Sequence, residues 1–285
     1  MKRYLVTLLF VGAAVIVGSL YYSQYQQNPW TRDGQVRAHV VQVTPRVTGA
    51  IVQLNVQDNS RVKQGDTLFV VDPMPFKVRL LKALAAQEQA EALLAKAENE
   101  WLRATGLEKR SPGAVPTLSL NNYQTAVDTA KANLSATQAA VEEARLDLSY
   151  TEVKAPANGF VTNLRHHVGA QVMANNPVVA LIDEDSFWIE GFFKETDISD
   201  VDVDKTARVT LLSEQSIVLE GHVESVGYGI SKVDGSTGYS LLPTVNPNFQ
   251  WIRLAQRIPV KVKLNHVPDE VQLRVGMTAS VQVHK

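Results

Sequence analysis

Between Pro75 and Tyr150, apolar side chains recur every seven residues along two helical segments joined by a loop. On the second segment one position of the heptad reads Leu120, Val127, Leu134, Val141 and Leu148, and the other reads Tyr123, Ala130, Thr137 and Ala144. On the first segment the same positions read Leu80, Gln87, Leu94, Trp101 and Ala83, Ala90, Ala97, Ala104. Seven-residue spacing aligns these side chains along one seam, which predicts an inserted antiparallel α-helical coiled-coil hairpin. Large residues alternate with alanine, so the two helices can approach closely, and Trp101 reads as a packing residue of the seam. Each arm of roughly 30 residues would be roughly 45 Å long. A hairpin of that length has no core beyond its seam, which points to reach rather than chemistry. Its expected tip loop, 106–116, is rich in helix breakers, and Thr117 or Ser119 is placed to cap the returning helix.

The strand pattern on either side of the hairpin repeats. Gly49 and Gly159 are 110 residues apart, as are Ile51 and Val161, Leu54 and Leu164, Val62 and Val172, and the turn residues Asn59 and Gly169. Each copy ends in a second apolar run, 67–71 in one and 177–182 in the other. Alternation and β-branched content predict short, half-buried strands. A copy of about 30 residues is too small to bury a core alone, so the two should pair. The hairpin leaves after Val71-Asp72-Pro73 and returns at Tyr150-Thr151-Glu152-Val153, so it is an insertion between two halves of one small β-domain. Pro73 and Pro75 end the strand and fit a helix's first turn. The split domain resembles the lipoyl or biotinyl carrier domain, whose modified lysine sits on a tight turn between the halves. Here helices replace that turn, and Lys77 and Lys82 fall inside one of them, which excludes covalent cofactor carriage.

A third region follows, with candidate strands at 187–193, 207–212, 217–226, 258–264 and 277–283. Short strands with turn-punctuated spacing predict an antiparallel β-barrel. Residues 35–43 are a candidate strand for the same barrel, and most of 228–256 reads as an ordered loop. At the other end of the chain, residues 4–22 are 19 residues without a charge, preceded by Lys2 and Arg3. As a helix they would span roughly 28 Å, about the hydrocarbon thickness of a bilayer. The basic flank places the N-terminus in the cytoplasm, and Tyr21, Tyr22, Tyr25 and Trp30 suit the far interface. A cleaved signal peptide is the alternative, but the apolar run exceeds a usual signal core and no clear small-x-small site follows it. Either way, the remaining roughly 260 residues lie outside the cytoplasm, since no second apolar run of spanning length follows.

Composition narrows the chemistry. The 285-residue chain has no cysteine and a formal net charge of −1. Disulfides, thiolate metal sites and cysteine nucleophiles are excluded, and near-neutral charge argues against a nucleic-acid binder. Asp200-Val201-Asp202-Val203-Asp204 has the opening rhythm of a calcium loop, but Lys205 stands where the turn glycine belongs and Leu211 where the closing glutamate belongs. It reads as a solvated strand edge. His166 and His167 are adjacent, so on a strand they face opposite ways and cannot chelate together. Gly227-Tyr228-Gly229 and Gly235-Ser236-Thr237-Gly238 lack the lysine of a phosphate loop. Asp183, Glu184 and Asp185 read as a turn. No nucleophile–base constellation is present, so no catalytic, cofactor-binding or metal-binding residue is assigned.

The order of anchor, half-lipoyl, α-hairpin, half-lipoyl and barrel resembles the periplasmic adaptors of tripartite efflux pumps, the membrane fusion proteins of the HlyD family. The resemblance is carried by Asn28-Pro29-Trp30-Thr31-Arg32-Asp33-Gly34, Val43-Thr44-Pro45-Arg46-Val47-Thr48-Gly49 and Lys63-Gln64-Gly65-Asp66-Thr67-Leu68. It continues through Thr151-Glu152-Val153-Lys154-Ala155-Pro156-Ala157-Asn158-Gly159 and Val275-Gly276-Met277-Thr278-Ala279. Within the family, Trp251-Ile252-Arg253-Leu254-Ala255-Gln256-Arg257-Ile258-Pro259-Val260 is similar to the AaeA-like, aromatic carboxylic acid efflux branch. The chain also stops soon after the barrel, without the extra membrane-proximal domain of resistance-nodulation-division adaptors.

The resemblance implies these domains: 1–27 cytoplasmic N-terminus and transmembrane anchor, 28–43 linker and possible barrel strand, 44–73 lipoyl-like half, 74–150 hairpin, 151–184 second half, and 185–285 barrel. It implies a non-enzymatic, cofactor-free subunit anchored once in the inner membrane with its bulk in the periplasm. It also implies a homo-oligomer, a hexamer in the pump, with an inner-membrane transporter and an outer-membrane TolC-like channel as partners. Adaptors that dock such channels carry an Arg, Leu, Ser tip pattern. Arg103 and Leu107 match its four-residue spacing, and Ser119 precedes Tyr123 as the family serine precedes its tyrosine, with 111–115 as an insert. A leucine can fill a groove between channel helices while arginine and serine make directional hydrogen bonds. Adaptors of multidrug (major-facilitator, EmrA-like) and type I secretion systems, and an anchored ligand-binding protein, are the alternatives.

Overall fold

The computed structural model describes residues 28–229, 255–268 and 270–284, together with Gly12, Val15, Ile16 and Gly18. Apart from those four residues, the expected anchor at 4–22 lies outside the described residues, as do residues 230–254 of the expected loop and the start of the Trp251 segment. Among the described residues, no helix is long and apolar enough to cross a membrane. The elements are β1 (Trp30–Arg37), β2 (Val40–Val43), β3 (Gly49–Leu54), β4 (Arg61–Val62), β5 (Thr67–Val71), α1 (Met74–Arg110) and α2 (Thr117–Ser149). They continue with β6 (Glu152–Lys154), β7 (Gly159–Thr162), β8 (Gln171–Val172), β9 (Val179–Asp183), β10 (Trp188–Lys194), β11 (Thr206–Leu211), β12 (Val218–Val226), β13 (Arg257–Leu264) and β14 (Thr278–Val283). The fold is mixed α and β, and it divides into a unit of residues 40–183 and a unit drawn from the chain before and after it.

In the unit of residues 40–183, stretches 110 residues apart fold alike and clasp each other. One sheet has the order β2-β9-β7-β4 and the other β6-β5-β3-β8, the same order with each strand replaced by its repeat partner. Gly49 faces Val172 across β3 and β8, and Gly159 faces Val62 across β7 and β4. Ile51 faces Val71 and Val161 faces Leu181. The turns match as well. Asn59 and Gly169 both have positive φ, as do Gly65 and Asn175. Asn59 N donates to Val161 O and Gly169 N to Ile51 O, both at 2.8 Å. Gln64 N donates to Asn158 Oδ1, and Ala174 N to Thr48 Oγ1. In every one of these bonds one partner comes from each half, so neither half closes its own sheet. The shared core holds Ile51, Leu68, Phe69 and Val71 from one half with Val161, Val179 and Leu181 from the other.

The helices grow from this sandwich. Asp72 Oδ1 accepts Met74 N at 3.0 Å and starts α1, whose body is dense in Ala, Leu, Gln, Glu and Lys. Phe76 is buried in the sandwich core, and Leu148 and Tyr150 pack against it, so both helix ends are tied to the base. Beyond that base, α1 and α2 pack on each other. Every residue of the seven-residue frames is covered at least in part, with Ala90, Val127 and Val141 the most deeply buried.

Three local expectations change here. α1 does not end at Gly106 but runs to Arg110, leaving a loop of residues 111–116. One helical glycine costs only about 1 kcal/mol, and the good helix formers Leu107, Glu108, Lys109 and Arg110 follow it. Neither Thr117 nor Ser119 caps α2, because Pro116 takes the cap position and its carbonyl accepts Ser119 N at 2.8 Å. The candidate strand 35–43 is divided between β1, in the barrel, and β2, in the sandwich. Val36 is buried in the barrel core and Val43 in the sandwich core, and the alternation changes phase between them at Val40-Val41.

The second unit is a closed antiparallel barrel of order β1-β10-β13-β12-β11-β14, filled by Val36, Ile189, Phe193, Val209, Leu219, Val262 and Val281 among others. Charged pairs run along its outside. Arg37 bonds Glu190 at 3.1 Å, and Lys261 bonds Glu224 at 2.9 Å while lying 4.8 Å from the Trp188 ring. The hydrogen bond from Lys261 holds the Glu224 carboxyl below its ordinary range.

Candidate functional site at the hairpin tip

The last turns of α1, the loop and the first turns of α2 form a shallow depression of about 290 Å³, lined by Glu100, Arg103, Ala104, Leu107, Val115 and Tyr123. Arg103 and Leu107, four apart on α1, share one face and both line it. Arg103 Nε donates to Asn99 O at 3.2 Å, which steadies the base of the guanidinium. Leu107 is 47% exposed, a large apolar side chain left open at the rim. Ser119 sits in the first turn of α2, half-buried, and does not line the depression. Two of the three residues expected at the tip are therefore brought together and the third is not. The lining offers apolar contact from Leu107, Val115 and Ala104, with a guanidinium, a carboxylate and a phenol for directional hydrogen bonds.

The residue that organises the loop was not foreseen from the sequence. Glu108 accepts Gly113 N on Oε1 at 2.7 Å and Val115 N on Oε2 at 2.9 Å. Ser111 N donates to Leu107 O and Ala114 N to Ser111 O, while Pro112 and Pro116 have no N–H. Every backbone donor of the loop is thus satisfied inside the tip, half of them by one carboxylate. The bonds from Gly113 and Val115 hold the Glu108 carboxyl below its usual range. The bonds to the ionised carboxylate are therefore complete at neutral pH. They are lost only as pH falls through that lowered value. Gly113, at φ +85, supplies the left-handed backbone the loop needs. The available signal was an acidic residue in the last turn of a helix, just before a breaker-rich loop with orphan N–H groups.

A second feature lies along α1 on the side α2 does not cover. Met74, Val78, Leu81, Ala85, Ala92, Ala95 and Leu102 are all exposed, at positions that repeat every seven residues outside the seam. The outward side of α2 is mixed at the same frame positions: Asn121, Asp128, Ser135 and Glu142 form a polar row, while the row of Thr125, Ala132, Ala139 and Leu146 is mostly apolar. At the base, a cleft of about 440 Å³ lies along the edge strands β2 and β6, where Arg46 covers the Tyr150 ring at 4.7 Å.

The other motifs resolve as turns and loops. Asp200–Asp204 is not a strand edge: a 3-10 turn at Ile198–Asp200 leads into a turn with Asp204 at φ 67, while Val201 is buried. Aspartate tolerates that left-handed backbone. His166 and His167 lie on the loop after β7 rather than on a strand. Glu184 and Asp185 form a turn after β9. Among the described residues, no group of three or more His, Cys, Asp or Glu could hold a metal ion.

Comparison with known proteins covers the chain nearly end to end. Residues 39–184 match the family described as the RND MFP barrel-sandwich hybrid domain, and residues 186–284 match the AAEA-like beta-barrel domain. The uncharacterized protein YdhJ of Escherichia coli (strain K12) is 39% identical over 283 residues, covering 99% of this chain and 97% of YdhJ. Among solved structures, MacA from Actinobacillus actinomycetemcomitans aligns with a TM-score of 0.64 at 21% identity, over 90% of this chain and 79% of MacA. A MacA-MexA chimeric protein containing the Pseudomonas aeruginosa MexA alpha-hairpin domain aligns with a TM-score of 0.59 at 23% identity, over 90% of this chain and 82% of the chimera.

Proposed function

The chain belongs to the HlyD family of membrane fusion proteins, in its AaeA-like branch, and is a periplasmic adaptor subunit of the tripartite efflux-pump type; from that premise we propose that it joins an inner-membrane exporter to an outer-membrane TolC-like channel. The observation that carries this reading is the sandwich built from two clasped halves, with a long hairpin inserted between them. An insertion anchored at its base in the sandwich is suited to present its far end. That far end carries Arg103 and Leu107 on one depression, and these are the proposed channel contacts, with Ser119 as a lesser one.

The remaining parts receive roles that agree with their chemistry. Residues 4–22 are the single-pass anchor, and the barrel engages the transporter. The hairpin acts as a coiled coil, and the exposed apolar stripe on α1 supports side-by-side packing of copies, probed as a hexamer. The AaeA-like branch supports aromatic carboxylic acids as the exported class. In this reading the adaptor carries out no chemistry and needs no cofactor, since coupling to an energy source belongs to the transporter.

Crosslinking in intact envelopes tests the proposal. The tagged chain, captured from solubilised membranes, is expected to bring down one inner-membrane exporter and one outer-membrane channel. Recovery of the chain with neither contradicts it.

A further inference from the structure

We infer that Glu108 is the positioning residue of the tip: its carboxylate fixes the loop between α1 and α2, and with it Val115 on the wall of the depression, so that channel docking depends on a residue that need not touch the channel. The inference rests on the docking role proposed for Arg103 and Leu107. Val115 is the loop's contribution to the depression, and its N–H is one of the two held by Glu108. The other, from Gly113, fixes the left-handed residue at which the loop turns. Apolar packing does not do this instead, since among the described residues of the loop Pro112, Gly113 and Ala114 are exposed and Val115 is only half-buried. The two bonds use both oxygens of one group, so the geometry calls for a carboxylate. Glutamine can accept with its oxygen, but its NH2 meets the second N–H donor to donor. Alanine removes both acceptors and leaves the loop N–H groups to water.

The test uses the full-length chain in its membrane, with a photoreactive p-benzoylphenylalanine at exposed position 109. Hydrogen exchange of the 111–116 segment is followed by mass spectrometry, and capture of the outer-membrane channel by gel shift. Glu108→Ala is expected to speed exchange at Gly113 and Val115 by about tenfold or more, with Glu108→Gln between alanine and the native chain. Capture should fall in the same order, while exchange in the sandwich strands stays native. Leu107→Asp runs beside these variants and separates the two claims. If Leu107→Asp abolishes capture while Glu108→Ala leaves capture or loop exchange at native levels, the inference about Glu108 is overturned and the docking reading stands. If Leu107→Asp leaves capture unchanged, the docking reading falls and takes the inference with it.

Discussion

Gly159→Ala is expected to destabilise the sandwich severely, while Gly49→Ala, at the equivalent place in the other half, costs it little. A Cβ on Gly159 would stand 1.9 Å from the carbonyl oxygen of Ile182 and 2.9 Å from its carbon. Both atoms are backbone. They belong to β9, which is held between β2 and β7 and cannot retreat without breaking the ladder on its far side. A Cβ on Gly49 would meet only the Cγ1 methyl of buried Val71 at 2.7 Å, and a side-chain methyl yields with a small shift more readily than a backbone carbonyl does. The cost should be about 3 kcal/mol or more for Gly159→Ala and about 1 kcal/mol for Gly49→Ala. Hydrogen exchange of the full-length chain in increasing urea, read on the strands of 40–73 and 151–183, measures both. Equal midpoint shifts for the two variants would remove the claim that the backbone contact at Gly159 sets the packing of β7 on β9. Because each half completes the other's sheets, Gly159→Ala should expose β3 and β5 as well as β7 and β9.

The second large effect is functional. Leu107→Asp should abolish pump activity while leaving the fold alone. The side chain is exposed and lies outside the sandwich and barrel cores, so the change in stability should stay within about 0.5 kcal/mol. A buried apolar anchor at an interface is worth about 2 kcal/mol or more, roughly a thirtyfold loss of docking, and a carboxylate in its place adds a desolvation penalty. Arg103→Ala should cost less, because the guanidinium sits at an exposed rim. Ser119→Ala should cost least, since Ser119 does not line the depression. Drug or aromatic-acid susceptibility of cells complemented with each variant, at matched adaptor levels, gives the ranking. Loss of function with Ser119→Ala but not with Leu107→Asp would reverse the assignment.

The parts of this structure that were legible in the sequence are those that repeat. The two long helices could be read because a seven-residue period persists over about 30 residues in each arm, and no strand sustains that period. The clasped halves could be read because glycine and β-branched residues recur at a single offset, and at Asn59 and Gly169 even the backbone requirement of the turn recurs. What escaped depends on a balance of energies or on chain geometry. Gly106 looked like a terminator because glycine is a poor helix former, yet one such cost is outweighed by its neighbours. The split between β1 and β2 does have a signal: Val36 and Val43 are seven apart and would face opposite sides of one strand, so the phase shift at Val40-Val41 marks the change from one core to the other. Glu108 was passed over because its partners are backbone N–H groups, whose positions exist only once the loop has closed. The aspartates at 200–204 alternate like a strand, but alternation cannot reveal that Asp204 adopts a left-handed backbone.

The claim on which the account depends is that residues before and after the hairpin build one β-module. It can be tested with a chain that has no native cysteine. Arg61 on β4 and Phe160 on β7 are register partners from opposite halves, both at the surface. In the double variant Arg61→Cys, Phe160→Cys, with a protease site placed in the 111–116 loop, oxidation should join the halves through a single disulfide. Cleavage of the loop should then leave one covalently linked species in denaturant, which separates into two fragments only on reduction. Release of two fragments before reduction, with both thiols still free to label, would contradict the account.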